Sequence, residues 1–283
     1  MRRLLACFGR ISVPISDKNV TNLKRNRTPI PLRLIRLARL ALHLARGLTL
    51  VWLRFPGLSE SARDVLKRLW SRKLLSILSI SVRKQGAPRT LPERCMLVLN
   101  HISWLDIFVI DASYPATFIA KSEIRGWPFV GWLCTGVGTL YIERGKRAEA
   151  LRARQAIVKE IERGVLIALC PEGTTTLGRS LERFHPALFQ PALDATAALQ
   201  PLALRYLDAA GLHTDAAAYA GETSLMGSVW AIASTRHMVA ELNLLEPLSS
   251  HGQTRRSLAE KAEAAIAAAL RVPAPQRTPR ARH

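Results

Sequence analysis

Short apolar runs alternate with longer stretches of helical periodicity from about residue 75 onward. The runs at 78–83, 95–99, 117–120, 139–142, 165–170, 199–206 and 237–244 predict strands. Helices are predicted from near Ser103 and over 127–134, 147–163, 186–196, 224–233 and 256–270, the last rich in alanine. The 147–163 pattern sets Leu151, Ile157, Val158 and Ile161 on one face and stops at Gly164. This alternation predicts an α/β fold in which a central, mostly parallel sheet is flanked by helices.

The N-terminal pattern is of another kind. Residues 31–57 read PLRLIRLARLALHLARGLTLVWLRFPG, with Arg33, Arg36, Arg39, His43, Arg46 and Arg54 at helical spacing. At 100° per residue they share a sector of roughly 140°, and leucines fill the rest. No run free of Arg and His exceeds seven residues, against the roughly 20 apolar residues that a spanning helix needs. A helix lying in a membrane interface fits better, with arginines toward headgroups and Leu, Val and Trp52 toward acyl chains. An ordinary helix with a solvated arginine face fits the same pattern. After Pro56-Gly57 a second basic helix is predicted from Ser59 to about Ile80. The expected organisation is a basic leader over 1–30, membrane-associating amphipathic helices over 31–74, one domain over 75–271 and a basic tail over 272–283.

Charge sharpens this division. Of the 283 residues, 41 are Lys or Arg and 21 are Asp or Glu, and residues 1–94 hold 21 of the bases but only four of the acids. A basic, leucine-rich region attracts anionic lipid headgroups or nucleic-acid phosphates. Nucleic acid is disfavoured, because the bases are interleaved with leucines and no aromatic stacking platform accompanies them. With 48% hydrophobic and 22% charged residues the chain is neither disordered nor a protein of many spans. Cys7, Cys95, Cys134 and Cys170 form no C-x-x-C pair and read as reduced thiols, with no zinc or disulfide framework. No glycine-rich nucleotide-binding motif is present.

Three polar clusters follow predicted strands. The run LVLNHISWLD at 97–106 ends a strand with Asn100 and places four residues between His101 and Asp106, H-x-x-x-x-D. A loop histidine with a carboxylate in the next helical turn could hold its Nδ1 proton and leave Nε2 to take a proton from a substrate hydroxyl. The same residues fit a capping box, Ser103-Trp104-Leu105-Asp106, in which the aspartate only caps a helix. The second cluster is Tyr141-Ile142-Glu143-Arg144-Gly145, where Arg144 could fork onto a phosphate or merely solvate the next helix. The third, Pro171-Glu172-Gly173-Thr174-Thr175-Thr176, could turn amides and hydroxyls toward an anion or serve as a plain turn. Strand ends in an α/β sheet converge on one edge, so the three together carry more than any one alone.

Together with AKSEIRGWPFVGWL at 120–133 and QPLALRY at 200–206, these clusters resemble the four ordered blocks of glycerolipid acyltransferases of the 1-acylglycerol-3-phosphate acyltransferase type, over about residues 75–245. The resemblance implies transfer of a fatty acyl group from acyl-CoA or acyl-carrier protein to the free hydroxyl of a lysolipid, 1-acyl-sn-glycerol-3-phosphate or a related lysophospholipid, with lyso-ornithine lipid as the alternative acceptor. His101 would be general base and Asp106 its partner, with no covalent intermediate, metal or other cofactor. Arg144, Glu172, Gly173, Thr174 and Lys121 would bind substrate, and Pro201 matches the proline of the fourth block. The implied setting is the cytoplasmic face of the inner membrane, with the bilayer, lysolipid and acyl donor as partners. Trp127, Phe129, Val130 and Trp132 would line an acyl groove or belong to the core. One departure concerns the acceptor: phosphatidate-making members usually read EGTRS, whereas Thr175 and Thr176 stand here in place of the arginine and serine. EGTT forms resemble members that reacylate lysophospholipids or lyso-ornithine lipids. A non-catalytic basic membrane-binding protein is the alternative from another class.

Overall fold

A computed structural model of the chain describes residues 27–86, 90–127, 130–143 and 147–275. Helix α1 (Ile30–Leu53) and helix α2 (Glu60–Ile77), begun by Ser59 accepting from the Ala62 amide at 3.3 Å, precede strand β1 (Ile80–Gly86). The chain continues through β2 (Cys95–Leu99), α3 (Asp106–Asp111), β3 (Thr117–Lys121), α4 (Val130–Gly136), β4 (Leu140–Ile142) and α5 (Arg147–Glu162). It closes with β5 (Ile167–Leu169), α6 (Gln190–Asp194), β6 (Ala198–Asp208), α7 (Leu225–Ser234), β7 (Met238–Leu244) and α8 (Arg255–Leu270).

The seven strands form one sheet in the order β1-β7-β6-β2-β5-β3-β4. From β6 to β4 neighbours are parallel, while β7 runs antiparallel to β6 and parallel to β1. The expected α/β fold with a mostly parallel, helix-covered sheet is therefore present. Every residue of β2 is buried. Cys95, Leu97 and Leu99 face one hydrophobic cluster with α2, α3 and α7, while Met96 and Val98 face the other with α5, α6 and α8. Burial on both faces explains why this strand reads as a continuous apolar run.

Helix α1 departs from its predicted orientation. Arg36 is buried, and its guanidinium donates to the carbonyls of Ala233 at 3.1 Å, Thr235 at 2.6 Å and Arg236 at 3.0 Å. It also donates to the hydroxyls of Thr28 at 3.1 Å and Ser79 at 2.6 Å. The end of a helix leaves carbonyls without partners, and Arg36 satisfies those at the C-terminus of α7. His43 stacks on Trp70 with centroids 4.6 Å apart. Gly47 approaches the same indole so closely that a Cβ would stand 2.7 Å from its Nε1. Part of the basic sector thus packs inward, while Leu34, Ile35, Leu42, Trp52 and Leu53 are exposed. No helix among the described residues is long and apolar enough to cross a membrane. In α5, Ile157 and Ile161 are buried as expected, but Leu151 is half exposed.

Candidate active site

Strand β2 stops where Asn100 turns its side chain into the sheet. The Asn100 amide donates to the Leu204 carbonyl at 2.9 Å and accepts from the Leu204 amide at 2.8 Å. The side chain thereby takes over the next rung of the ladder with β6, and the main chain is released to carry His101 out of the sheet.

His101 Nδ1 lies 2.8 Å from Asp106 Oδ2. The same oxygen accepts from the amides of Ile102 at 2.8 Å and Ser103 at 3.0 Å. One carboxylate thus holds the loop amides and the imidazole together, the arrangement that the capping and the catalytic readings each call for. Its side chain is 1% exposed and that of His101 is 25% exposed, so the ring reaches solvent while its partner does not. With the carboxylate ionised, Nδ1 carries the proton and the Nε2 lone pair is the site for another. Burial works against a charged imidazole, but Cys170 and Asp106 act the other way, and the balance holds His101 well above the ordinary histidine value. Burial also keeps the Cys170 thiol above its usual range.

The PEGTTT loop folds onto the same histidine from β5, the neighbour of β2. Glu172 Oε1 accepts from the His101 amide at 2.6 Å, and Oε2 accepts from the Glu182 amide at 2.8 Å. The Thr176 amide donates to the His101 carbonyl at 2.8 Å. The main chain of His101 is therefore gripped on both sides. Glu172 is buried with both oxygens engaged by backbone. Desolvation pushes its carboxyl up to about 7, against the two amides that favour the charged form. Glu172→Gln presents an NH2 group to one of those two amides and leaves that donor without an acceptor. It is expected to lower stability by about 1–3 kcal/mol and to reduce turnover with it, read by thermal melts beside initial rates.

Gly173 adopts a left-handed φ of +67° at the turn, and Thr174 is the exposed member of the loop. The Thr175 hydroxyl donates to the Tyr219 carbonyl, so this position is tied to backbone. Lys121 ends β3 exposed on the same sheet edge, two strands from β2 and so on the order of 10 Å away. Arg144, Phe129 and Cys7 lie outside the described residues. Trp127 and Trp132 are exposed, which removes the core reading for both. A cavity of about 360 Å3 opens along this edge between Ser122, Arg125, Tyr141, Glu143, Glu149 and Arg152.

Sequence reasoning missed Tyr206, which is wholly buried in β6 with its hydroxyl 2.8 Å from Asp106 Oδ1. A tyrosine in an apolar strand reads as core, and only the tertiary pairing of β6 with β2 brings its hydroxyl to the carboxylate.

A family model described as Acyltransferase matches residues 81–205. The lyso-ornithine lipid O-acyltransferase of Pseudomonas aeruginosa is 38% identical over 244 residues, spanning 84% of this chain and 93% of its own. The 1-acyl-sn-glycerol-3-phosphate acyltransferase of Neisseria meningitidis serogroup B is 32% identical over 250 residues, spanning 88% and 97%. Among solved structures, the 1-acyl-sn-glycerophosphate acyltransferase of Thermotoga maritima superposes with a TM-score of 0.60 at 20% identity, covering 84% of this chain and 96% of its own.

Proposed function

Because the chain belongs to the acyltransferase family, we propose that it moves a fatty acyl group from a thioester, acyl-CoA or acyl-carrier protein, to the free hydroxyl of a lysolipid. The observation that carries this reading is the His101–Asp106 pair, 2.8 Å apart, with the carboxylate buried and the ring open to solvent. The acceptor hydroxyl gives its proton to His101 Nε2 as its oxygen attacks the thioester carbonyl. The buried Asp106 stabilises the imidazolium that forms. Collapse of the tetrahedral intermediate breaks the carbon–sulfur bond, and the imidazolium returns the proton to the departing thiolate. The thioester is already activated, so the chemistry calls for neither metal nor covalent enzyme intermediate.

Both substrates are amphiphiles, and the exposed leucines and Trp52 of α1 support a seat in the membrane interface. The thioester donors belong to the cytoplasm, which sets the enzyme on that face. Lysophospholipid acceptors suit the family as a whole. Lyso-ornithine lipid is favoured by one specific observation, because Thr175 offers no cation to a phosphomonoester and its hydroxyl is bound to Tyr219. A panel of labelled lysolipids with both donors tests the proposal, and acyl transfer to lyso-ornithine lipid is expected to exceed transfer to 1-acylglycerol-3-phosphate. Transfer to neither acceptor from either donor would sink the reading, and the reverse order would return the preference to the phosphate acceptor.

A further inference from the structure

We infer that Tyr206 is a positioning residue for the reaction, holding the Asp106 carboxylate in the orientation in which it partners His101. The inference rests on the proposed role of the dyad. Its basis is the distribution of donors around Asp106. Oδ2 receives the His101 ring and two loop amides, whereas Oδ1 receives the Tyr206 hydroxyl, at 2.8 Å, among the described residues. A phenylalanine would fill the same core volume, so the hydroxyl is not there for packing. Leu204 and Tyr206 stand two residues apart on β6, and the strand thus grips the loop twice, through Asn100 and through Asp106. The other titratable groups facing the pair are Cys170 and Glu172, both from the β5 side.

The expected effect has a sign. Without the hydroxyl, Oδ1 is buried with no donor, and the negative charge of Asp106 is left less stabilised. That charge is best compensated when His101 is protonated, so the imidazole becomes harder to empty. The acid limb of the rate profile then moves up in pH.

The test compares Tyr206→Phe, Asp106→Asn and the double variant in the full chain. Tyr206→Phe is expected to lower kcat at neutral pH by about tenfold with KM within about twofold. The acid limb moves upward by about half a unit or more, with part of the rate recovered at higher pH. In the Asp106→Asn background the same change has little further effect, because the two act as one unit. Cys170 and Glu172 are common to both enzymes, so a displacement between their profiles reports Tyr206. A profile lowered by one factor at every pH overturns the inference, as does an unchanged profile or a loss that persists without Asp106. If Tyr206→Phe fails to fold, a fluorinated tyrosine at 206, a stronger donor, must move the acid limb down, and no movement overturns the inference. Full activity in Asp106→Asn would instead reject the dyad itself, which separates that failure from the failure of Tyr206.

Discussion

His101→Ala is expected to lower acyl transfer by about a thousandfold, within the range that a positioned general base supplies, while leaving the fold intact. Both halves of the expectation follow from the same hydrogen bonds. The imidazole is the one group of the pair that reaches solvent, so its removal takes away the proton acceptor and opens no sealed cavity. Asp106 keeps three donors, the amides of Ile102 and Ser103 and the hydroxyl of Tyr206, and is not left as a bare buried charge. The grip of Glu172 and Thr176 falls on the main chain of residue 101 and survives the substitution. Thiol release from the acyl donor gives the rate, and a thermal melt gives the fold. Retention of more than about a tenth of the activity would show that His101 is not the base. In the unaltered enzyme, the raised proton affinity of His101 means that the rate still climbs with pH above the ordinary histidine range.

Strand β2 and its exit were legible because β2 is buried on both faces and stops abruptly. Five apolar residues, an asparagine that replaces a rung of the ladder and a histidine released beyond it leave a pattern that local reading recovers. The helices were legible where caps mark them, as at Ser59, Ser224 and Thr254. What local reading did not reach depended on partners far along the chain. A helical wheel treats every arginine as solvated, yet Arg36 is drawn inward by the open carbonyls at the end of α7, about two hundred residues later. The family resemblance alone placed Glu172 at the acceptor headgroup. Its oxygens are taken by the amides of His101 and Glu182, a use of charge that no local pattern announces.

The inward turn of Arg36 and His43 defines which face of α1 is left to meet a bilayer. Arg36, Leu40, Gly47 and Val51 face the protein. At 100° per residue, Leu34, Leu42 and Trp52 point the opposite way, and they are 55%, 72% and 67% exposed. The exposed Arg39 and Arg46 border this apolar face and lie within reach of anionic headgroups. Burying each such apolar side chain contributes about 1.5–3 kcal/mol. Replacing Leu34, Leu42 and Trp52 together by glutamate also adds repulsion of roughly 1 kcal/mol for each charge near an anionic surface. Vesicle binding is therefore expected to fall by at least about a thousandfold. None of the three residues is part of the core, so folding and turnover of a short-chain, water-soluble lysolipid should remain near the unaltered values. Cosedimentation with anionic vesicles measures the first, and a thiol-release assay on the soluble acceptor measures the second. Unchanged sedimentation would reject the outward face of α1 as the membrane seat. Equal loss on soluble and vesicle-borne acceptors would instead make these residues part of the catalytic domain's own architecture.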